Sequence, residues 1–354
     1  MSESKVSVDQ VRAALGKVMD PELQRDLVSL GMIQNLEVDD GAVSFDLVLT
    51  TPACPLRNQI REAAEAAVRA VSGVTEVRVR VTSKVSSRPC ADQALLPGVK
   101  NVIAVGSGKG GVGKSTVAVN LAVALAEAGA RVGILDADIY GPSIPLLMGA
   151  EERPLLVDGR LRPLERYGVK LMSLGFLIDG NAPVIWRGPM VAGAVRQLLT
   201  DVEWGELDYL VVDLPPGTGD AQLTLAQSVP LTGAVIVMTS QEVALSIASK
   251  ALLMFRKMDV PVLGVVENMS SFVCPHCEQE TPIFGPRGGG EKVAAALDAP
   301  FLGSVPLDPA IVEESDQGTP SIAAHPESRQ ADAFRKIASA MAAQVSQRNL
   351  KGQA

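Results

Sequence analysis

The 354-residue sequence predicts a doubly wound α/β fold with a mostly parallel sheet, preceded by a small α+β domain. Three observations carry this reading. Short, continuously apolar runs at 102–105, 132–135, 209–212, 234–238 and 262–266 alternate with stretches of helical length. Strands covered on both faces read as unbroken apolar runs, which is how a parallel sheet between two helical layers looks in sequence. The first run opens directly into a glycine-rich loop, as the first strand of a nucleotide-type βα unit does. Ahead of residue 83 the rhythm changes to apolar residues at every second position, and no repeat unit recurs along the chain.

The small domain begins with a capping box, Ser7 to Gln10, before a helix carrying Val11, Leu15 and Val18. Val43, Phe45, Leu47 and Leu49 then alternate with Ser44, Asp46 and Val48, as a half-buried strand should. Residues 60–71 are alanine-rich and helical, and Val77, Val79 and Val81 alternate again. The order α-β-β-α-β defines a small α+β domain over residues 5–82. Residues 83–99 mix serine, proline and charge without a period and read as a linker; residues 100–350 form the larger domain. Gly/Pro-rich segments at 140–145, 215–219 and 284–290 interrupt the larger domain where functional loops could sit.

Composition sets outer bounds. An apolar share of 47% supports one large core and a smaller one. A net charge of −8, a pI near 5.0 and the lack of a basic run argue against a nucleic-acid partner. No apolar run reaches the roughly 18 residues of a membrane span, and the polar first residues carry no targeting signal. Four cysteines in so long a chain do not make a disulfide framework, so a reduced, cytoplasmic setting is expected.

The glycine loop "GSGKGGVGKST", Gly106 to Thr116, fits two nucleotide motifs at once. Gly106, Gly108 and Gly111 satisfy the dinucleotide fingerprint, for which Asp136 would be the distal acid. Lys114 and Ser115 decide against it: a dinucleotide fold needs no lysine there, whereas G-x-x-x-x-G-K-[ST] requires both. Gly108, Lys109, Gly110, Gly111, Val112, Gly113, Lys114, Ser115 and Thr116 are therefore read as a phosphate loop. Its N–H groups wrap a polyphosphate, Lys114 reaches the outer phosphates and the Ser115 hydroxyl ligates Mg²⁺. Such a loop needs a metal-positioning carboxylate at a neighbouring strand end. Asp213 closes "YLVVD", with Gly217 free to approach a γ-phosphate; Asp136 and Asp138 in "ILDADIYGPS" close another strand and could hold Mg²⁺-bound or attacking water.

"KGGVGKST", "DADIYGPS" and "DLPPGTGD" resemble the deviant Walker ATPases, the group that includes MinD, ParA and the nitrogenase iron protein. With "ENMS" and "CPHC" added, the chain resembles the Mrp/ApbC iron–sulfur cluster carriers, and its first domain resembles SufT. The resemblance implies ATP as substrate and a homodimer in which Lys109 reaches the partner's nucleotide. It further implies that Asn268 reads adenine, and that apo iron–sulfur proteins and a cluster-assembly scaffold are the partners.

Cys274 and Cys277 form one C-x-x-C pair, half of a tetrahedral site, and no second pair exists in the chain. A symmetric dimer would bring four thiolates to its axis, suited on ligand count to [4Fe–4S] or zinc alike. The resemblance favours [4Fe–4S]. A redox dithiol usually opens a helix, which the residues after Cys277 do not suggest. His276 reads as exposed loop. Cys54 precedes Pro55 at an expected helix start, where a thiol is favoured as thiolate; in SufT-like domains the matching cysteine is linked to cluster assembly, and "DPEL" at Asp20 to Leu23 also matches those domains. Cys90 is given no role. Two other classes use the same engine or the same thiols: a MinD/ParA-like positioning ATPase, and a zinc-binding chaperone or electron-transfer reductase. The spacing of Phe334, Ile337, Met341 and Val345 fits core packing better than a membrane-surface helix, since few lysines line its polar face.

Overall fold

The structure, a computed structural model, describes residues 6–87, 95–139, 141–177, 188–274, 276–277, 279–285 and 288–351. Cys90 and Tyr140 lie outside the described residues. Contacts group the chain into two units, Met1–Ser86 with Ala342–Ala354, and Ser87–Met341.

In the first unit α1 (Val8–Leu15) starts at the capping box: Ser7 Oγ accepts from Gln10 N at 3.2 Å, and Gln10 Oε1 accepts from Ser7 N at 3.0 Å. A short antiparallel pair follows, β1 (Met19–Asp20) and β2 (Arg25–Asp26). Buried Asp20 closes the turn between them by accepting from Glu22 N and Leu23 N. β3 (Ile33–Asp39), β4 (Ala42–Leu49) and β5 (Glu76–Ser83) form a three-stranded sheet with β4 in the middle, antiparallel to β3 and parallel to β5. A parallel pair needs a crossover, and α2 (Arg57–Arg69) supplies it. Val11 and Leu15 of α1, Ile60, Ala64 and Val68 of α2, and the alternate residues Val43, Phe45, Leu47 and Leu49 of β4 share one apolar core.

The second unit is the doubly wound fold. Its strands are β6 (Val102–Ser107), β7 (Val132–Asp136), β8 (Leu155–Val157), β9 (Arg160–Arg162), β10 (Leu164–Arg166), β11 (Val169–Ser173), β12 (Tyr209–Asp213), β13 (Gly233–Met238), β14 (Val262–Val273), β15 (Glu280–Thr281) and β16 (Phe301–Leu307). Between and after them lie α3 (Lys114–Glu127), α4 (Ile144–Leu147), α5 (Gly188–Thr200), α6 (Asp220–Ser228), α7 (Glu242–Lys257), α8 (Gly289–Ala296), α9 (Pro309–Asp316), α10 (Ser321–Ala324) and α11 (Arg329–Lys351). A nine-stranded sheet runs β10-β11-β7-β12-β6-β13-β14-β15, with β16 also against β14. All its pairings are parallel except β10 with β11 and β15 with β14. β6 is central, with β7 and β12 on one side and β13 and β14 on the other. The loop leaving β6 therefore sits at the topological switch point, where open α/β sheets bind ligands.

Phe334, Ile337, Met341 and Val345 of α11 are all buried, as core packing requires. The last turns of α11 belong to the first unit, where Gln347 Nε2 donates to Glu22 O at 3.2 Å and Asn349 Nδ2 donates to Ser86 O at 2.8 Å. Among the described residues no helix is long and apolar enough to cross a membrane.

Candidate functional site

The chain leaves β6 at Ser107, whose carbonyl accepts from Gly217 N at 2.9 Å, so the phosphate loop and the 215–219 segment meet at their bases. Two glycines are fixed by what surrounds them. A Cβ on Gly108 would lie 2.5 Å from Ile247 Cγ2 of α7, and one on Gly113 would lie 2.2 Å from Asn268 Nδ2. Gly113 also takes φ 76°, a left-handed conformation, immediately before α3 begins at Lys114. The free N–H groups of that helix end face the loop, which is how such loops hold anions.

Lys114 is buried at 6% exposure, an arrangement a lysine tolerates only when paired. Its Nζ lies 2.7 Å from Asp213 Oδ1 and 3.8 Å from Asp138 Oδ2. Ser115 Oγ donates to Asp213 Oδ2 at 2.5 Å. Asp213 and Asp136 are register partners at the ends of adjacent parallel strands, which puts two buried carboxylates side by side. Burial, with the Asp213 charge beside it, pushes the Asp136 carboxyl up to about 7. Burial also raises Asp213, against the opposing pull of Lys114. Both oxygens of Asp136 are already engaged: Oδ1 accepts from Asp138 N at 3.1 Å, and Oδ2 accepts from Ile144 N at 3.1 Å and Ser173 Oγ at 3.0 Å. Two carboxylates, Asp138 and Asp213, thus face one ammonium, with Asp136 beside Asp213; the bonded oxygens of Ser115 and Asp213 are ligands of the kind a hard cation takes, with phosphate oxygens left to supply others.

Lys109 Nζ donates to Gln241 Oε1 at 2.8 Å. Beside Gln241, Ser240 Oγ donates to Glu267 Oε1, and Glu267 Oε2 accepts from Gly290 N at 3.0 Å. The next residue along β14, Asn268, donates from Nδ2 to Val112 O at 2.9 Å, inside the phosphate loop. Sequence reasoning missed Gln241, Ser240, Glu267 and Ser173. Polar residues at strand ends carry no pattern that separates a partner from a turn.

β14 runs past Asn268 to Val273 and turns back through β15, with Cys274 N donating to Gln279 O at 3.0 Å. Cys274 is half-buried; His276 and Cys277 are exposed, and both cysteines are free thiols. N–H groups of His276 and Cys277, and the Cys277 side chain, lower the Cys274 thiol below its ordinary range. The described residues after Cys277 lead into a strand rather than a helix. No cluster of three or more histidine, cysteine or acidic side chains among the described residues could hold a metal.

One expectation is overturned. Helix α2 starts at Arg57 after an N-cap at Leu56, so neither Cys54 nor Pro55 sits in its first turn. The Cys54 thiol packs against the small domain's apolar core instead, and burial pushes it up to about 11. It is a protonated thiol at neutral pH.

A family model described as NUBPL iron-transfer P-loop NTPase matches residues 98–342, and one described as iron–sulfur cluster assembly protein matches residues 8–81. An iron–sulfur cluster carrier protein of Synechocystis sp. is 51% identical over 348 residues, covering 96% of this chain and 98% of its own length. A solved nucleotide-binding protein from Archaeoglobus fulgidus, in complex with ADP, superposes with a TM-score of 0.60 at 42% identity, over 68% of this chain and 95% of that one. The cell division ATPase MinD of Pyrococcus furiosus shares the fold, with a TM-score of 0.53 at 23% identity over 72% of this chain and 99% of its own.

Proposed function

Because the chain belongs to the NUBPL iron-transfer P-loop NTPase family, we propose that it is an ATP-dependent iron–sulfur cluster carrier acting as a cytoplasmic homodimer. Residues 5–82 are its SufT-like domain, joined by the last turns of α11, with 83–99 its linker and the rest of 100–350 its ATPase. The observation that carries the proposal is the continuity of β14. One strand bears Asn268, bonded to the phosphate loop, and ends in the loop of Cys274 and Cys277. The cargo is a [4Fe–4S] cluster bound by two thiolates from each chain, delivered to apo iron–sulfur proteins after loading from an assembly scaffold.

The residues of the loop divide the work on ATP. The N–H groups of Gly108 to Thr116 cradle the phosphates, and Lys114 exchanges its carboxylate partners for phosphate oxygens. Ser115 and Asp213 would hold Mg²⁺, which would supply neutralisation of phosphate charge. Asp136, with both oxygens occupied by protein donors, would influence that ion without binding it directly. Asp138, next to the Lys114 ammonium, orients the attacking water. Lys109 stabilises transferring charge on the partner's nucleotide, as an arginine finger does. Asn268 holds the adenine with its amide.

Anaerobic reconstitution with iron and sulfide tests the carrier reading. The protein should gain the broad visible absorbance of thiolate-ligated iron, at one cluster per two chains. Cys274→Ser or Cys277→Ser should lose that colour and keep ATP binding; Cys54→Ser and Cys90→Ser should keep both. Full clusters in the Cys274 or Cys277 variants, or zinc as the metal recovered from anaerobically grown cells, would overturn it.

A further inference from the structure

We propose that Gln241 is a cis latch on Lys109, holding in the separate chain the ammonium that the dimer directs at the partner's nucleotide. The inference rests on the reading of Lys109 as a lysine that acts across the dimer.

The geometry supplies a fixed mount and a movable arm. Gln241 is the residue before α7, with an extended backbone, and its side chain makes no capping bond to that helix. Its amide oxygen instead accepts from Lys109 Nζ at 2.8 Å. The mount is held on two sides. Ser240, one residue back, is bonded to Glu267, itself 1% exposed and bonded to the start of α8. Ile247, in the same helix α7, presses against Gly108 so closely that no Cβ would fit. The base of the arm is also fixed, because Ser107 Oγ donates to Lys109 O at 2.9 Å. Only the four-carbon side chain of Lys109 is left to swing.

The chemistry of the acceptor suits release. A neutral amide holds an ammonium more weakly than a carboxylate does, so a polyphosphate presented by the partner outcompetes it. Any free energy that holds Lys109 in cis is lost when the dimer forms. The latch therefore sets the concentration at which chains pair, and binding can shift that balance only by its difference between the two states.

Sedimentation velocity with a non-hydrolysable ATP analogue reads that concentration directly, and ATP hydrolysis against protein concentration reads it again. Gln241→Ala should lower the half-assembly concentration by about 25-fold, fivefold for each of the two latches a dimer opens. Gln241→Asn, whose shorter amide falls short of Lys109, should match it. Gln241→Glu should raise the half-assembly concentration by about a hundredfold, tenfold for each chain, because a charge-assisted bond holds the lysine harder. In a Lys109→Ala background the Gln241 variants should assemble as Lys109→Ala alone does. Shifts of the same sign from alanine and glutamate, or shifts that persist without Lys109, would overturn the latch. If Lys109→Ala itself hydrolyses ATP and assembles like wild type, the dimer-crossing lysine fails and the latch with it. If Lys109→Ala is impaired while the Gln241 variants match wild type, the latch alone fails.

Discussion

Asn268 donates its side-chain N–H to the carbonyl of Val112 at 2.9 Å, which bonds the strand leading to the cysteine loop to the middle of the phosphate loop. A ligand that reorders Val112 must therefore act on the strand leading to Cys274. In the apo, reduced protein, an ATP analogue should change the alkylation rate of Cys274. Asn268→Ala should weaken that response by about fivefold, the worth of one hydrogen bond. An unchanged response would place the coupling elsewhere.

Lys114→Ala should lower ATP hydrolysis by at least about a hundredfold, because the phosphates lose their main cation. Lys109→Ala should lower it sharply as well. The trans role makes a sharper demand: a mixture of Lys109→Ala with Lys114→Ala should recover part of the activity that neither has alone, since one composite site then keeps both lysines. No recovery in steady-state assays over a range of mixing ratios would confine Lys109 to its own chain.

The paired carboxylates predict a pH dependence. An unfolded Asp136 sheds its proton near 3.8, while the folded one keeps it to about 7. The folded state binds more protons between those values, so the stability of the ligand-free protein falls as pH rises across that window. Melting scans should give a lower midpoint at about pH 7.5 than at about pH 5, by a few degrees. Asp213→Asn, whose amide can still face Lys114 and Ser115, removes the neighbouring charge and should flatten the slope. Magnesium nucleotide should bind more tightly as pH rises through the same window, since the ion favours the ionised pair.

Thiol labelling separates the cysteines. Cys54 is held up at about 11 by burial, whereas neighbouring N–H groups lower Cys274. Iodoacetamide at neutral pH should modify Cys274 first and Cys54 last, with mass mapping as the readout. Faster labelling of Cys54 would restore the thiolate reading that its position relative to α2 removes. Cys54→Ser should leave ATP hydrolysis nearly intact.

Five apolar runs located β6, β7, β12, β13 and β14, because strands buried on both faces have an unbroken apolar signature. β11 and β16 escaped the same reading. Lys170 interrupts Val169–Ser173, and Gly303, Ser304 and Pro306 interrupt Phe301–Leu307, so neither run stands out until a neighbouring strand pairs with it. The phosphate loop was legible because anion binding fixes both residue type and spacing. Asp213 and Asp136 were legible only as strand ends; that they face each other follows from sheet order, which no local pattern encodes. Gln241 and Glu267 were out of reach for the same reason: Gln241 lies 132 residues from Lys109, and Glu267 acts on it only through Ser240. The start of α2 was misread because Pro55 is compatible with a first helical turn without requiring one.

The last turns of α11 complete the small unit through Gln347 and Asn349. That gives the first-made part of the chain a schedule. Residues up to Ser86 leave the ribosome early, yet the partners of Glu22 and Ser86 are synthesised only after the whole of Ser87–Met341. At 5–20 residues per second the delay is roughly 13–50 s. Through that interval the nascent small unit holds its own three-stranded core without its closing helix, and it finishes only when the ATPase chain is also complete. Completion of the small unit is thereby tied to completion of the ATPase chain.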